Sequence, residues 1–93
     1  MRTIRRSTRF DKDFKRVSRG RYRTALSQDL PPILERLAND LPLPESARDH
    51  ALTGDKVLYR DCHIKPDLVL IYSKPKDDEL LLVRLGTHSE LDL

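Results

Sequence analysis

The N-terminal part of the chain has the spacing of an amphipathic α-helix. Its apolar residues recur every three or four positions among Lys and Arg side chains: Phe10, Phe14 and Val17. This period places them on one face of a helix. Thr8 is the candidate N-cap, with Asp11 positioned to answer its backbone amide, and Gly20 suits the left-handed residue that ends a helix. Residues 2–7 predict a short strand before this helix.

A second apolar stripe of helical period follows and is interrupted by two prolines. It consists of Leu26, Leu30, Ile33, Leu34, Leu37 and Ala38. Proline is tolerated in the first turn of a helix, where the amide lacks a helical partner. The sequence therefore predicts either a helix that begins near Asp29, just before Pro31 and Pro32, or a longer helix that is kinked there. Asn39 ends the pattern.

After residue 44 the period changes to that of β-strands. Three segments of strand character are separated by short polar turns: residues 56–63, 67–73 and 79–85. Short turns join antiparallel neighbours, so these segments predict an antiparallel meander. Helices followed by strands indicate an α+β fold, with two N-terminal helices packed on one face of a twisted antiparallel sheet. A length of 93 residues suits one domain, residues 1–93, rather than two.

The composition predicts a soluble, cytoplasmic protein. Charged residues make up 35% of the chain and apolar residues 38%, which is typical of a globular domain. The longest apolar run, residues 68–72, is far shorter than the roughly 20 residues that cross a bilayer, and no apolar segment follows the basic start to form a secretory signal. Cys62 is the only cysteine, which excludes an intrachain disulfide and suits a reducing compartment.

Positive charge is concentrated in the first quarter of the chain. The formal net charge is +3, and residues 1–23 contain ten Lys or Arg side chains opposed only by Asp11 and Asp13. Such a segment can bind a phosphate backbone or an acidic protein partner. It can equally be the solvated face of a helix.

The residues with candidate chemistry lie in the second half of the chain. All three histidines occur there in polar surroundings: His50, His63 and His88. Asp61 is two positions from His63 on a predicted strand, so the two side chains share a face. A tight turn then brings Asp67 back toward His63, and Arg84 ends the last predicted strand.

These residue types suit the cleavage of RNA without a metal. The reaction needs a base for the ribose 2′-hydroxyl, an acid for the departing 5′-oxygen and a cation for the phosphate. Imidazole serves both proton transfers because its pKa of about 6.5 keeps both forms accessible near neutrality. The planar guanidinium of Arg84 suits the phosphate. Three histidines with unrelated surface roles are the alternative.

Two other kinds of site fit the sequence less well. His and Asp are also zinc ligands, but the chain has neither H-x-x-x-H nor C-x-x-C spacing. We therefore expect no metal and no cofactor. On a regular strand Cys62 points away from His63, which argues against a cysteine nucleophile.

Several ordered motifs resemble those of the YafQ-type toxins within the RelE/ParE superfamily. They are DHALTG at residues 49–54, YRDCHIKPDLVLIY at residues 59–72 and RLGTHSEL at residues 84–91. The connector LPLP at residues 41–44 matches as well, and the likeness extends over nearly the whole chain. Several motifs in one order are more specific than any single one of them.

The resemblance implies a microbial-ribonuclease-like fold and the toxin component of a type II toxin–antitoxin system. Such a toxin is a sequence-selective endoribonuclease that inhibits translation by cleaving mRNA in the A site of the 70S ribosome. The implied partner is a co-expressed antitoxin, usually a ribbon-helix-helix protein of the DinJ or RelB type, and DNA is reached only through that complex. We expect the antitoxin to wrap the basic surface with an acidic, partly disordered segment.

The resemblance also implies roles for single residues. The family's acid–base groups match four positions: His50, His63, Asp67 and His88. His88 corresponds to the general acid, and the other three together position or deprotonate the 2′-hydroxyl.

Further positions match the RNA-binding part of the family pattern or depart from it. Arg84 matches the arginine that contacts the phosphate, and Asp61 is expected to orient a neighbour at the RNA site. Leu68 stands where the family commonly has Trp, and Asp92 where an aromatic is expected. Stacking on bases, worth about 1–3 kcal/mol per base, would then fall to other side chains: Tyr59, Tyr72 or arginines.

Two other functions are possible on sequence grounds. A ParE-like toxin on the same fold would inhibit a topoisomerase without hydrolysis, and the histidine set distinguishes the two because that branch has no need of it. A DNA-binding regulator could use the basic N-terminal quarter, but the chain shows no convincing helix-turn-helix.

Overall fold

The computed structural model describes residues 1–53 and 58–93. A mixed sheet and three helices make up most of this part of the chain. In order, the elements are β1 (Thr3–Arg6), α1 (Thr8–Val17), α2 (Arg23–Gln28), α3 (Leu30–Ala38), a 3₁₀ helix (Glu45–Ala47), β2 (His50–Ala51), β3 (Arg60–Lys65), β4 (Leu68–Ser73) and β5 (Glu79–Gly86).

The five strands form one sheet in the order β1-β5-β4-β3-β2. The antiparallel meander β3-β4-β5 is confirmed, and helices pack on this sheet in an α+β fold, as expected. Two pairings add to the prediction: β1 lies parallel to β5, and the two-residue β2 lies antiparallel to β3. All four residues of β1 are exposed, so the pattern of apolar residues in this strand could not predict its pairing with β5.

The capping of α1 differs from the prediction at both ends. Ser7, in extended conformation, is the N-cap, and its hydroxyl accepts the Phe10 amide at 3.0 Å. Thr8 is already helical, and Asp11 pairs with Arg6 at 3.3 Å. The prediction of Thr8 as the N-cap was therefore wrong by one residue, and the predicted contact of Asp11 with the Thr8 amide was wrong as well.

The end of α1 needs no left-handed glycine. The helix ends at Val17, and the amides of residues 19 and 20 bond three residues back to the carbonyls of residues 16 and 17. Such tight turns keep φ negative, and Gly20 lies outside the left-handed region. The prediction for Gly20 was wrong for this reason.

The two prolines lie in the first turn of α3, directly after a break at Asp29. The shorter α2 ends at Gln28 and α3 begins at Leu30, so both sequence alternatives contain part of the answer. The helix is interrupted at Asp29 because Pro31 and Pro32 have no amide to continue the hydrogen bonding of α2.

The apolar core lies between the helices and one face of the sheet. Cys62, Leu70 and Tyr72 on that face pack in one buried cluster with helix residues such as Phe10 and Leu37. Burying one such large apolar side chain stabilises a fold by about 1.5–3 kcal/mol.

The opposite sheet face carries a smaller apolar cluster of Val69, Ile71 and Leu91, flanked by Leu52 and Val83. β4 is buried along its whole length because it is covered on both faces. Among the described residues, no helix is long and apolar enough to cross a membrane.

β3 positions the candidate site residues by its alternation. Cys62 points into the helix-side core. Asp61 and His63 lie on the opposite face, because they pair in register with Ile71 and Val69, which belong to the smaller cluster. The prediction that Cys62 and His63 point to opposite faces is confirmed. β3 begins at Arg60 and continues to Lys65, two residues beyond the predicted end. The strand prediction was wrong at Leu58 and Tyr59, which precede β3, and positions 56 and 57 lie outside the described residues.

Candidate active site

His88 is held by Asp67 through two hydrogen bonds. The Asp67 Oδ1 atom lies 2.7 Å from His88 Nδ1 and accepts the His88 backbone amide at 3.1 Å. These bonds lower the pKa of Asp67, the ring contact contributing most. With Nδ1 bound to the carboxylate, the Nε2 atom of His88 is the nitrogen left to exchange a proton with a substrate.

His63 lies edge-on against His88. The ring centroids are 5.1 Å apart, with an interplanar angle of 79°. Burial lowers the pKa of His63, Asp61 opposes this shift, and the positive charges of His88 and Arg48 add to it. His63 is therefore favoured in its neutral form, which is the form that accepts a proton.

His50 joins the group through the main chain. β2 places it in register with Asp61, and its Nδ1 atom lies 2.7 Å from the carbonyl oxygen of Arg48. Because a carbonyl can only accept, Nδ1 carries the proton and Nε2 is left as an acceptor. The His50 side chain is more than half exposed.

Asp61 is a buried carboxylate beneath these imidazoles. Only 4% of the residue is exposed, and its Oδ1 atom has no hydrogen-bond partner among residues 1–53 and 58–93. His50 Nδ1 comes within 3.2 Å, but its proton is directed at the Arg48 carbonyl. Burial raises the pKa of Asp61, and the charges on His50, His63 and His88 oppose the shift.

Arg84 is bound to α1. Its Nε atom lies 2.7 Å from Oδ2 of Asp13, a residue only 3% exposed. Among the described residues, the Arg84 guanidinium hydrogen bonds only with Asp13. Arg84 also lines a cavity of about 360 Å³ together with Arg9 and Tyr59. The structure thus brings Asp61, Asp67 and the three histidines together and leaves Arg84 in an ion pair.

Arg48 is a site residue that the sequence did not indicate. It lines a cavity of about 500 Å³ with His63, His88 and Lys65, and its carbonyl orients His50. Arg48 lies in a loop without periodicity, directly after the 3₁₀ helix. The one sequence sign was its position two residues before His50.

Only one of the two tyrosines considered for base stacking is accessible. Tyr72 is 2% exposed, and its hydroxyl donates to Asp49 at 2.6 Å. Burial and this carboxylate raise its pKa. Tyr59 is 36% exposed and lies beside the cavity that Arg84 lines.

Within the part of the chain that the structure describes, no three His, Cys, Asp or Glu side chains are grouped so that they could hold a metal ion. The Cys62 thiol is fully buried, and burial raises its pKa to about 12.

Sequence comparison relates the chain to toxin proteins. It is 53% identical over 60 residues to a YafQ toxin of Haemophilus influenzae, which is 61% of this chain and 59% of the relative. The chain thus spans less than two thirds of that relative. It is also 38% identical over 90 residues to a protein of Escherichia coli named mRNA interferase toxin YafQ, covering 97% of this chain and 95% of the relative.

Structural comparison gives the same relationship. A copper-bound mutant toxin of Helicobacter pylori matches with a TM-score of 0.85 and 39% identity over 98% of this chain and 99% of that chain. The crystal structure of the E. coli DinJ–YafQ toxin–antitoxin complex matches with a TM-score of 0.82 and 37% identity, covering 97% and 96%. The family model described as bacterial toxin of type II toxin–antitoxin system, YafQ, matches residues 2–93. The chain therefore belongs to the YafQ family of bacterial type II toxins.

Proposed function

We propose that this protein is an endoribonuclease that inhibits translation by cleaving translated mRNA in the ribosomal A site. The observation that carries the proposal is the edge-on contact of His63 with His88, whose imidazole is bound to the Asp67 carboxylate, on the sheet face that also holds buried Asp61. An E. coli relative is named an mRNA interferase, which supports RNA as the substrate. The active unit is a single domain over residues 1–93.

The chemistry is a metal-independent transphosphorylation. A base removes the proton from the 2′-hydroxyl, the oxygen attacks the adjacent phosphorus, and the bond from phosphorus to the 5′-oxygen breaks as an acid protonates that oxygen. The products are a 2′,3′-cyclic phosphate and a 5′-hydroxyl. Each well-placed proton-transfer group contributes about 10²–10⁴-fold to the rate.

The site residues divide these roles. His88 is the general acid, oriented by Asp67 through Nδ1. His63, with its lowered pKa, is the base, and His50 shares in positioning or deprotonating the 2′-hydroxyl through its free Nε2. Asp61 supports the imidazolium that forms when a proton is taken up.

Arg84 and Tyr59 are assigned to RNA beyond the cleaved bond. Both line the cavity of about 360 Å³, and Tyr59 lies two positions before Asp61 along the chain. A partly exposed aromatic ring suits a base, and Arg84 adds positive charge beside it while its guanidinium stays paired with Asp13. Leu68 is fully buried in the helix-side core and does not face the RNA, so Tyr59 would replace only the stacking that Asp92 lacks.

The cellular setting follows from the relatives. One matched structure is a complex of a YafQ toxin with DinJ, so we propose a DinJ-like antitoxin as the partner of this chain, with DNA reached only through that complex. Ribosome-bound mRNA places the activity in the cytoplasm. Copper in the H. pylori relative makes metal independence a point to test directly.

The test is the substitution His88→Ala, with Ser89→Ala as the matched control. We expect His88→Ala to abolish growth arrest and mRNA cleavage while the protein stays folded, because Asp67 is nearly half exposed and tolerates the loss of its partner. Mapping mRNA ends after brief expression reports cleavage, ribosome dependence and codon choice together. Cleavage by His88→Ala at the wild-type rate would overturn the assignment.

Two further outcomes separate the rival functions. Cleavage by the wild type that leaves cyclic phosphate ends and persists when transition metals alone are chelated, with Mg²⁺ kept at the level that holds the ribosome together, supports the metal-independent route. Loss of activity under those conditions, restored by added copper or zinc, contradicts it. Intact mRNA in arrested cells would favour a non-hydrolytic toxin that binds a topoisomerase.

A further inference from the structure

The cavity beside His63 and His88 is also lined by two positively charged residues, Arg48 and Lys65. Its volume is about 500 Å³, and its walls include Ser46, Arg48 and Lys65 together with the two imidazoles. A phosphodiester undergoing attack gains charge on its non-bridging oxygens, and a cation placed beside them is worth more than in water. The cavity therefore needs a cation that is available to the substrate.

Arg84 is poorly placed to be that cation. Its guanidinium is paired with Asp13 at 2.7 Å, and Asp13 is buried. Releasing Arg84 toward a phosphate would take the principal partner from a buried carboxylate, which is strongly unfavourable. Lys65 is also engaged, since its ammonium lies 3.1 Å from Asp29.

Arg48 is the other cation in the wall of this cavity, as far as the described residues show. Its side chain makes no hydrogen bond or ion pair with residues 1–53 and 58–93, and the residue is exposed. Its charge acts on His63, lowering that pKa. Arg48 and His63 line the same cavity, so one ligand bound there can contact both side chains.

The backbone at Arg48 explains why the residue is so placed. It follows the 3₁₀ helix, which buried Ala47 anchors, and it adopts a left-handed conformation with φ 48° and ψ 44°. This conformation directs the Arg48 carbonyl to His50. One residue thus orients an imidazole through its main chain and charges the cavity through its side chain.

We propose that this cavity is the subsite for the phosphodiester that is cleaved, and that the Arg48 guanidinium binds its non-bridging oxygens. The ligand class is a single-stranded RNA phosphodiester. Arg48 moves no proton: it neutralises charge while the 2′-oxygen to phosphorus bond forms and the phosphorus to 5′-oxygen bond breaks. The inference rests on the proposed ribonuclease function and names its phosphate contact.

The experiment separates the side chain from the backbone. Arg48→Asn removes the charge, and asparagine tolerates a positive φ, so the carbonyl contact to His50 is retained. Arg48→Lys keeps the charge without the planar fork. Lys76→Asn, in the turn between β4 and β5 at the other end of the sheet, removes the same charge from an exposed position.

Two measurements are made on the full chain. The first is the rate of cleavage of ribosome-bound mRNA, which we expect to fall about 10²-fold or more in Arg48→Asn, to recover at least in part in Arg48→Lys, and to stay at wild type in Lys76→Asn. The second is the affinity for a 2′-O-methyl oligoribonucleotide at several salt concentrations. For Arg48→Asn, we expect the slope of log affinity against log salt concentration to be smaller in magnitude by about one.

The outcomes are distinguishable. Cleavage and salt-dependent binding at wild-type level in Arg48→Asn would overturn the inference while leaving the ribonuclease proposal intact. A wild-type protein that leaves mRNA uncut would overturn the proposed function, and the binding measurement would still decide whether Arg48 contacts RNA phosphate.

Discussion

Two aspartates, Asp13 and Asp61, are almost equally buried, with 3% and 4% of each residue exposed, yet their surroundings are opposite. Asp13 accepts hydrogen bonds from Arg84, Arg16 and the Leu85 amide. Burial raises the pKa of Asp13, but these bonds outweigh it and the pKa is lowered. At Asp61 burial prevails, and its pKa is raised.

We interpret this difference as that between a structural charge and, within the proposed function, a charge used in catalysis. A buried carboxylate with all its partners in place joins two elements, here α1 and β5. A buried carboxylate with an unpartnered oxygen costs stability, and such groups are concentrated at functional sites. Asp61 is surrounded by groups that gain charge only when they take up a proton, which is what a site for proton transfer requires.

The largest expected effect is on the structural side of this comparison. Arg84→Ala leaves Asp13 buried without its principal partner, so we expect the free energy of unfolding to fall by about 3–5 kcal/mol. Urea denaturation measures it, with Arg9→Ala as an exposed control expected within about 0.5 kcal/mol of wild type. An Arg84→Ala protein of wild-type stability would show that Asp13 does not depend on this pair.

A smaller effect, on activity rather than stability, is expected at Asp61. Asp61→Asn keeps the shape but removes the charge beneath the imidazoles, so cleavage should slow about 10²-fold, which is roughly 2.7 kcal/mol of barrier. The free energy of unfolding should hold or rise, since a desolvated charge is lost. The exposed Asp78→Asn variant is the control. Strong destabilisation with wild-type cleavage would make Asp61 a structural residue like Asp13.

The smallest effect is on the pH dependence of stability. As the pH rises, the ionisation of Asp13 should stabilise the fold and the ionisation of Asp61 should destabilise it. The lowered pKa of Asp13 means that its contribution is present above the ordinary value of 3.8 and is lost as the pH falls through its folded pKa. The raised pKa of Asp61 favours the protonated form, so its contribution is lost as the pH rises from 3.8 through its folded pKa.

Urea unfolding of wild type and Asp61→Asn at stepped pH tests this sign. Across the acidic range above pH 3.8 the wild type should lose stability relative to the variant as the pH rises. A constant difference between the two curves would mean that Asp61 titrates as an ordinary carboxylate.

The sequence could predict the features of the fold that depend on local patterns. The alternation of β3 predicted that Asp61 and His63 share a face and that Cys62 points the other way, because side-chain direction on a strand is a local property. The meander and the helical stripes were predictable for the same reason. The N-cap of α1 was missed by one residue, since Ser7 and Thr8 are both good caps.

Contacts between distant segments were beyond local patterns. The bond between Asp67 and His88 depends on the register of β4 against β5, which pairs Val69 with Gly86. The engagement of Arg84 by Asp13, and the position of Arg48 beside His63, depend on how loops and α1 meet the sheet. The spacing of residues along the chain does not predict these long-range contacts.

The parallel pairing of β1 with β5 has a consequence for how the protein is made. Residues 3–6 hydrogen bond along residues 79–82, and the Ser7 hydroxyl donates to the Val83 carbonyl at 2.7 Å. During synthesis the early residues leave the ribosome first, but β1 has no partner until β5 has followed. A nascent chain therefore cannot complete the sheet between its first and last strands until β5 has emerged from the ribosome.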